Sequence, residues 1–176
     1  MVLESGENTN LGGTLNSTAT TFKLGDNAAN RQFRAVLSFN TSSLPDNAVI
    51  IAVTLKIKKA GQAGATPFNT LGKILADIGT DPFSGNAALE LTDFQATSSK
   101  DAALAIGNTP SSGWYSRSLA AANFGFINLT GITQFRLRFA KDDNHNNVAD
   151  YLQFYSGNYT ITPTYRPTPI IKYSVP

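Results

Sequence analysis

Phe33-Arg34-Ala35-Val36-Leu37-Ser38-Phe39 sets Phe33, Ala35, Leu37 and Phe39 on one side of an extended chain and Arg34, Val36 and Ser38 on the other. Successive side chains of a strand point to opposite faces, so an apolar period of two marks a strand with one buried face. The pattern returns in Val53-Thr54-Leu55-Lys56-Ile57-Lys58, where Lys56 and Lys58 face away from the apolar set. It is cleanest in Phe135-Arg136-Leu137-Arg138-Phe139, apolar on one side and doubly cationic on the other. Residues 73–78, 151–155 and 169–175 read as further strands. Leu44-Pro45-Asp46-Asn47 predicts a type I turn, and glycines within 61–64, 84–86 and 111–113 break the chain again. A single brief helix is expected over 92–96, with Thr92 as its N-cap. Short strands at this spacing predict an all-β domain of two stacked antiparallel sheets spanning residues 1–176.

Composition agrees. Hydrophobic residues make up 41% of the 176, enough for a continuous core. Charged residues are only 15%, against a usual quarter or so, and Thr, Ser, Asn and Gly take their place. That exchange suits polar turns and short strands rather than solvated helices. A net charge of +2 is too small to suggest a phosphate-tracking surface, so nucleic acid is not an expected partner. Cysteine is absent, which excludes thiolate nucleophiles, zinc–sulfur centres and disulfides, and tilts the expected source toward a prokaryote. The longest apolar run, about 48–53, is far short of a membrane span. Met1-Val2-Leu3-Glu4 lacks the basic and apolar regions of a secretion leader, and the chain is read as a module excised from a larger protein.

Asp26-Asn27-Ala28-Ala29-Asn30-Arg31-Gln32-Phe33-Arg34, followed by Leu37-Ser38-Phe39-Asn40-Thr41-Ser42-Ser43-Leu44-Pro45, resembles the DNRLRE-type domain of secreted bacterial and archaeal proteins. There an Arg-bearing strand leads into an "FD-SSLP" turn and then a "V--A-L-L" strand, here residues 49–57. Asn40 stands where that turn commonly has Asp. Asp142-Asp143-Asn144, Ala149-Asp150-Tyr151, Phe154-Tyr155-Ser156-Gly157 and Arg166-Pro167 resemble the end of such modules, so the likeness covers nearly the whole chain. It implies a jelly-roll-like β-sandwich in a large extracellular or cell-surface protein. Some relatives are carbohydrate-binding modules for acidic polysaccharides such as alginate. A shared fold does not carry the ligand with it, because sandwiches place their sites differently.

The loop Asp142-Asp143-Asn144-His145-Asn146-Asn147-Val148-Ala149-Asp150 is the sharpest local signal. Asp142, Asn144, Asn146 and Asp150 follow the first, third, fifth and ninth positions of an EF-hand loop, and Ca²⁺ favours such converging oxygens. Asn147 replaces the turn Gly, and Gln153 the closing Glu, so this is not an EF-hand. Glu4 is a further candidate ligand if the first strand lies nearby. The competing reading is a polar hairpin tip in which Asp and Asn make turns unaided.

Arg31, Arg34, Lys56, Lys58, Arg136 and Arg138 fall on polar strand positions and are the candidate ligand-binding cations. On one sheet face they would fork onto carboxylates of an acidic glycan; otherwise they keep a sheet soluble and its edges unpaired. Trp114, expected in a loop after Ser111-Ser112-Gly113, is a candidate for stacking on a sugar ring or, alternatively, ordinary half-buried packing. Tyr151, Tyr155 and Tyr159 offer a second platform. Catalysis is not expected: His145 is the sole histidine, and neither a nucleophile elbow nor a phosphate-cradling loop is present. The favoured expectation is a non-catalytic extracellular polysaccharide-binding module with a structural Ca²⁺. The alternative is a structural spacer or surface-assembly domain making protein–protein contacts.

Overall fold

Every alternating run quoted above becomes a strand, and the longest of them bend the sheet back upon itself. The computed structural model describes residues 1–176. Its strands are β1 (Val2–Glu4), β2 (Gly12–Leu15), β3 (Thr21–Asp26), β4 (Gln32–Asn40), β5 (Val49–Ala63) and β6 (Ile74–Gly79). They continue with β7 (Lys100–Ile106), β8 (Trp114–Ser118), β9 (Ile132–Phe139), β10 (Tyr151–Tyr155) and β11 (Thr168–Ser174). The main path runs β11-β5-β10-β3-β4-β9-β6-β7, with β8 also on β5 and β1 on both β2 and β4. All pairings are antiparallel. The domain is a nearly closed antiparallel β-sandwich.

Two strands close it. The first part of β5 pairs with β11 and β8, while Lys59, Gly61, Gln62 and Ala63 pair with β10. Likewise β4 meets β1 and β3 through Gln32–Arg34 positions and β9 from Ala35 onward. A strand that changes partners along its length turns a corner, so the two halves of the sheet fold face to face. The expected apolar sets fill the interior: Ala35, Val53, Leu55, Ile57, Phe135, Leu137 and Phe139 are all buried within one cluster, together with Leu24, Leu152 and Phe154.

One stretch of sheet is covered on both sides. Residues 80–98 cross the outside of β4, β9 and β6, and bring Phe83 and Phe94 down to 2% and 0% exposure. The positions beneath them are consequently buried although they point away from the main core: Asp77, Gln134 and Arg136 are 0%, 2% and 5% exposed. Period-two reading assigned Arg136 to solvent; the covering segment reverses that. The helix expected at 92–96 is a 3-10 turn, Leu91–Phe94, preceded by Glu90 rather than capped by Thr92. The Asp93 carboxylate accepts the Glu90 N–H at 2.9 Å. Trp114 and Tyr115 open β8 rather than lying in a loop, because Lys58 and Ile57 of β5 pair with them. No helix is long and apolar enough to cross a membrane.

Candidate functional site

The cations separate into two groups that never meet. The first is internal. Asp77 on β6 lies opposite Arg136 on β9, and its Oδ2 accepts from Arg136 Nε at 3.1 Å and Nη2 at 2.9 Å. Arg136 Nη1 donates onward to the carbonyls of Asp93 and Ala96, at 3.0 and 2.6 Å. Arg34 donates to Gln32 Oε1, the Phe94 carbonyl and Asn10 Oδ1, and its guanidinium sits 3.9 Å above the Phe94 ring. Burial, with Arg136 and Arg138 nearby, pulls the Arg34 pKa down to about 10. These two arginines therefore clamp the covering segment onto the sheet, and their donors are spent inside the molecule. Arg138 touches Asp77 at 3.5 Å and borders a polar recess shared with Asn10, Ser98 and Asp101. Arg31 stands apart, donating to the Ser5 carbonyl at 3.3 Å.

The second group is external. Lys56 and Lys58 leave the same face of β5 and pair in register with Ser116 and Trp114 of β8. Lys56 Nζ lies 4.8 Å from the Trp114 ring centroid and Lys58 Nζ 5.6 Å from it. Lys58 Nζ is also 5.0 Å from the Tyr165 ring and donates to the Ser112 carbonyl. Tyr165 in turn meets Tyr155 at 5.2 Å and Tyr159 at 6.4 Å, and those two rings are 4.3 Å apart. All of these side chains are half-buried. The result is one unbroken run of rings and ammoniums, Tyr155–Tyr159–Tyr165–Lys58–Trp114–Lys56. Tyr151 is not part of it; its ring takes Lys23 at 4.3 Å.

The sequence singles out Lys56 and Lys58 by their alternation and Trp114, Tyr155 and Tyr159 as aromatics, but not that they are continuous. It missed Tyr165, which supplies the join. Tyr165 sits in a 3-10 turn, Pro163–Tyr165, within a segment of no regular period, and only Pro163, two residues before it, hinted at a rigid turn there.

The acidic loop is organised around Asp150. Its Oδ1 accepts the Ala65 N–H at 2.6 Å, and its Oδ2 accepts from the side-chain amides of Asn144 at 2.9 Å and Asn146 at 3.2 Å. Three of the four expected ligands thus converge. Asp142 does not join them, since its Oδ1 accepts the Asp143 N–H. Glu4 is elsewhere altogether: it is 2% exposed and its two oxygens accept the N–H groups of Asn10 and Gln32. On the exposed side, Glu7, Asp143 and His145 place ligand-type atoms within 4.8 Å of one another. His145 Nδ1 lies 2.7 Å from Glu7 Oε1 and 3.0 Å from Asp143 Oδ1, and the hydrogen bond to Glu7, with Asp143 beside it, raises the imidazole pKa. Asp143 Oδ1 also accepts the His145 N–H at 2.7 Å, while its Oδ2 is buried without a partner.

No protein-family model matches the chain, and no curated protein is significantly similar to it.

Proposed function

We propose that this domain is a non-catalytic extracellular module that binds polysaccharide, an acidic glycan above all, along the outer face of β5 and β8. The observation that carries the reading is the run Tyr155–Tyr159–Tyr165–Lys58–Trp114–Lys56, in which three clustered tyrosine rings continue into an indole flanked by two ammonium groups. A pyranose ring presents C–H groups on its faces, and these pack on aromatic rings. A glycan carboxylate alongside would meet a lysine, whose flexible point charge tolerates variable geometry. One exposed ion pair is worth only about 0–1 kcal/mol, so affinity has to come from several contacts along a polymer. Arg34 and Arg136 contribute little to such a surface, because their donors already serve the fold.

Affinity electrophoresis through gels containing a polyuronate, a sulfated polysaccharide or a neutral glucan tests the proposal. The polyuronate is expected to retard the wild-type protein most, the retardation falling as salt is added, because exposed charges are screened over about 10 Å at 0.1 M. Absence of retention on every acidic and neutral polysaccharide would remove the reading.

One observation favours a second role in surface assembly. Val49, Ile51, Tyr173 and Val175 are all exposed at one end of the β5–β11 pair, and β11 ends the path of strands. An open, apolar strand edge invites pairing with another chain. Sedimentation that stays monomeric at every concentration would count against it.

A further inference from the structure

Where β3 ends beside the start of β10, two buried carboxylates lie together without a cation to meet them. Asp26, the last residue of β3, is 0% exposed, and Asp150, just before β10, is 1% exposed. They are locked together: the Asp26 N–H donates to the Asp150 carbonyl at 3.1 Å, and the Asp150 N–H donates to Asp26 Oδ1 at 3.2 Å. Asp26 Oδ2 is buried with no hydrogen-bond partner at all. No Lys or Arg forms an ion pair with either residue. An uncompensated buried carboxylate is costly, and proteins relieve it with a proton, a paired side chain or a metal ion.

We propose that Asp26 and Asp150, with the side-chain amide oxygens of Asn144 and Asn146, form a binding site for a divalent cation that prefers hard oxygen ligands, Ca²⁺ above Mg²⁺. The Asn144 and Asn146 amides already converge on Asp150 Oδ2, at 2.9 and 3.2 Å through their nitrogens. A half-turn of each amide brings its oxygen toward Asp150 Oδ2 and gives up a backbone donor, the Asn146 N–H at 3.3 Å for Asn144 Oδ1 and the Val148 N–H at 2.8 Å for Asn146 Oδ1, an exchange that ligation of a hard cation at about 2.4 Å would have to offset. The Asp26 carboxyl lies against the backbone of both Asn144 and Asp150, and its second oxygen is buried without a partner. Water completes the six to eight ligands Ca²⁺ takes.

The surroundings are shaped for the purpose. Gly25 has φ +126°, and a Cβ there would come within 2.1 Å of the Asp150 carbonyl oxygen. Gly64 has φ +64°, and a Cβ there would meet Asp150 Oδ1 at 2.2 Å. Side chains at either position would displace Asp150. Across the loop, Asn30 and Asn147 exchange hydrogen bonds at 3.0 and 3.2 Å, and Asn147 itself is left-handed, with φ 56°. The loop is held in shape before any ion arrives.

The site is independent of the glycan reading, and its test needs no glycan. Protein stripped with EDTA is titrated with CaCl₂ and, separately, MgCl₂ by calorimetry, and its thermal midpoint is followed in parallel. One Ca²⁺ per chain, a raised midpoint and weaker Mg²⁺ binding are expected. D26N should weaken Ca²⁺ by at least about 10- to 100-fold, the loss typical even of groups that only support a metal ligand. E7Q should leave it unchanged, which separates this pocket from the Glu7–Asp143–His145 cluster. If D26N does not fold, N144A with N146A serves the same purpose. Wild-type protein giving no heat and no midpoint shift would overturn the proposal, as would binding that survives D26N and is lost in E7Q.

Discussion

Arg136 and Lys56 occupy equivalent places in the sequence pattern, each an outward position in an alternating strand, yet one is 5% exposed and the other reaches water. The difference lies in what crosses the strand. Residues 80–98 lie over β9 and carry Phe83 and Phe94, which convert an outer face into a second interior. Arg136 answers with a fork onto Asp77 and two backbone carbonyls, so that every charge-bearing donor has a partner. Nothing crosses β5 at Lys56 and Lys58, and their ammoniums settle over Trp114 and Tyr165 instead. Guanidinium suits the first place because its planar fork satisfies several fixed acceptors at once; ammonium on a flexible stem suits the second. Charge that holds a fold together and charge that remains free for a ligand are thus distinguished by cover, not by residue spacing.

Removing Asp77 should produce the largest effect. In D77A the Arg136 guanidinium remains buried without a counter-charge, a situation that costs about 3–5 kcal/mol, read as a fall in the denaturant midpoint. Polysaccharide retention of the folded fraction should persist. Loss of retention with stability intact would reverse the assignment of the two regions.

The buried acids offer a second contrast, because Asp77 has arginines beside it and Asp26 has none. Burial raises the Asp26 carboxyl from 3.8 to about 6, so the folded chain holds a proton that the unfolded chain has released across that interval. Stability of the cation-stripped protein should therefore fall as pH rises from about 4 to about 6, and Ca²⁺ should flatten the decline. Denaturation midpoints at several pH values, with EDTA and with CaCl₂, check the sign.

On the outer face, W114A should weaken polyuronate binding by about tenfold, the scale of one aromatic stacking contact of about 1.4 kcal/mol. Its fold should survive, since β8 keeps its backbone pairing with β5. The smallest change is expected for K56A: stability within about 0.5 kcal/mol of wild type, and retention that is weaker and less sensitive to salt. A K56A variant whose retention equals that of wild type at low salt would argue that the rings alone carry the surface.

Much of this architecture is legible in single strands. Phe33, Ala35 and Leu37, then Val53, Leu55 and Ile57, then Phe135, Leu137 and Phe139 alternate as a half-buried sheet requires, and all of them are interior. Strands β1, β2, β3, β7 and β8 are not read from the sequence: Val2–Glu4 and Gly12–Leu15 are too brief to display a period, Thr21–Asp26 offers only Phe22 and Leu24 as an alternating pair, Lys100–Ile106 is broken by Ala102 at φ 45°, and Trp114–Ser118 follows a Ser-Ser-Gly turn that reads as loop. The candidate sites were legible in part. Asn144, Asn146 and Asp150 share one loop and were found by their spacing, whereas Asp26 lies on β3, far away in the chain, and no local signal connects it to them. Glu4 was assigned to that loop on the supposition that β1 lies beside it; instead β1 pairs with β2 and β4.

What the amino-acid order determined alone is which side chains alternate, where the turns fall, and that the chemistry available is oxygen, ammonium, guanidinium, one imidazole and aromatic, with no sulfur nucleophile. Those properties are local: a period of two and a proline turn act over a few residues. Which cations are free, which acids are stranded, and which tyrosines line up were decided only when β5 and β4 turned their corners and distant segments came to rest on one another. Burial and pairing depend on what lies opposite in space, and that is a property of the assembled sheet.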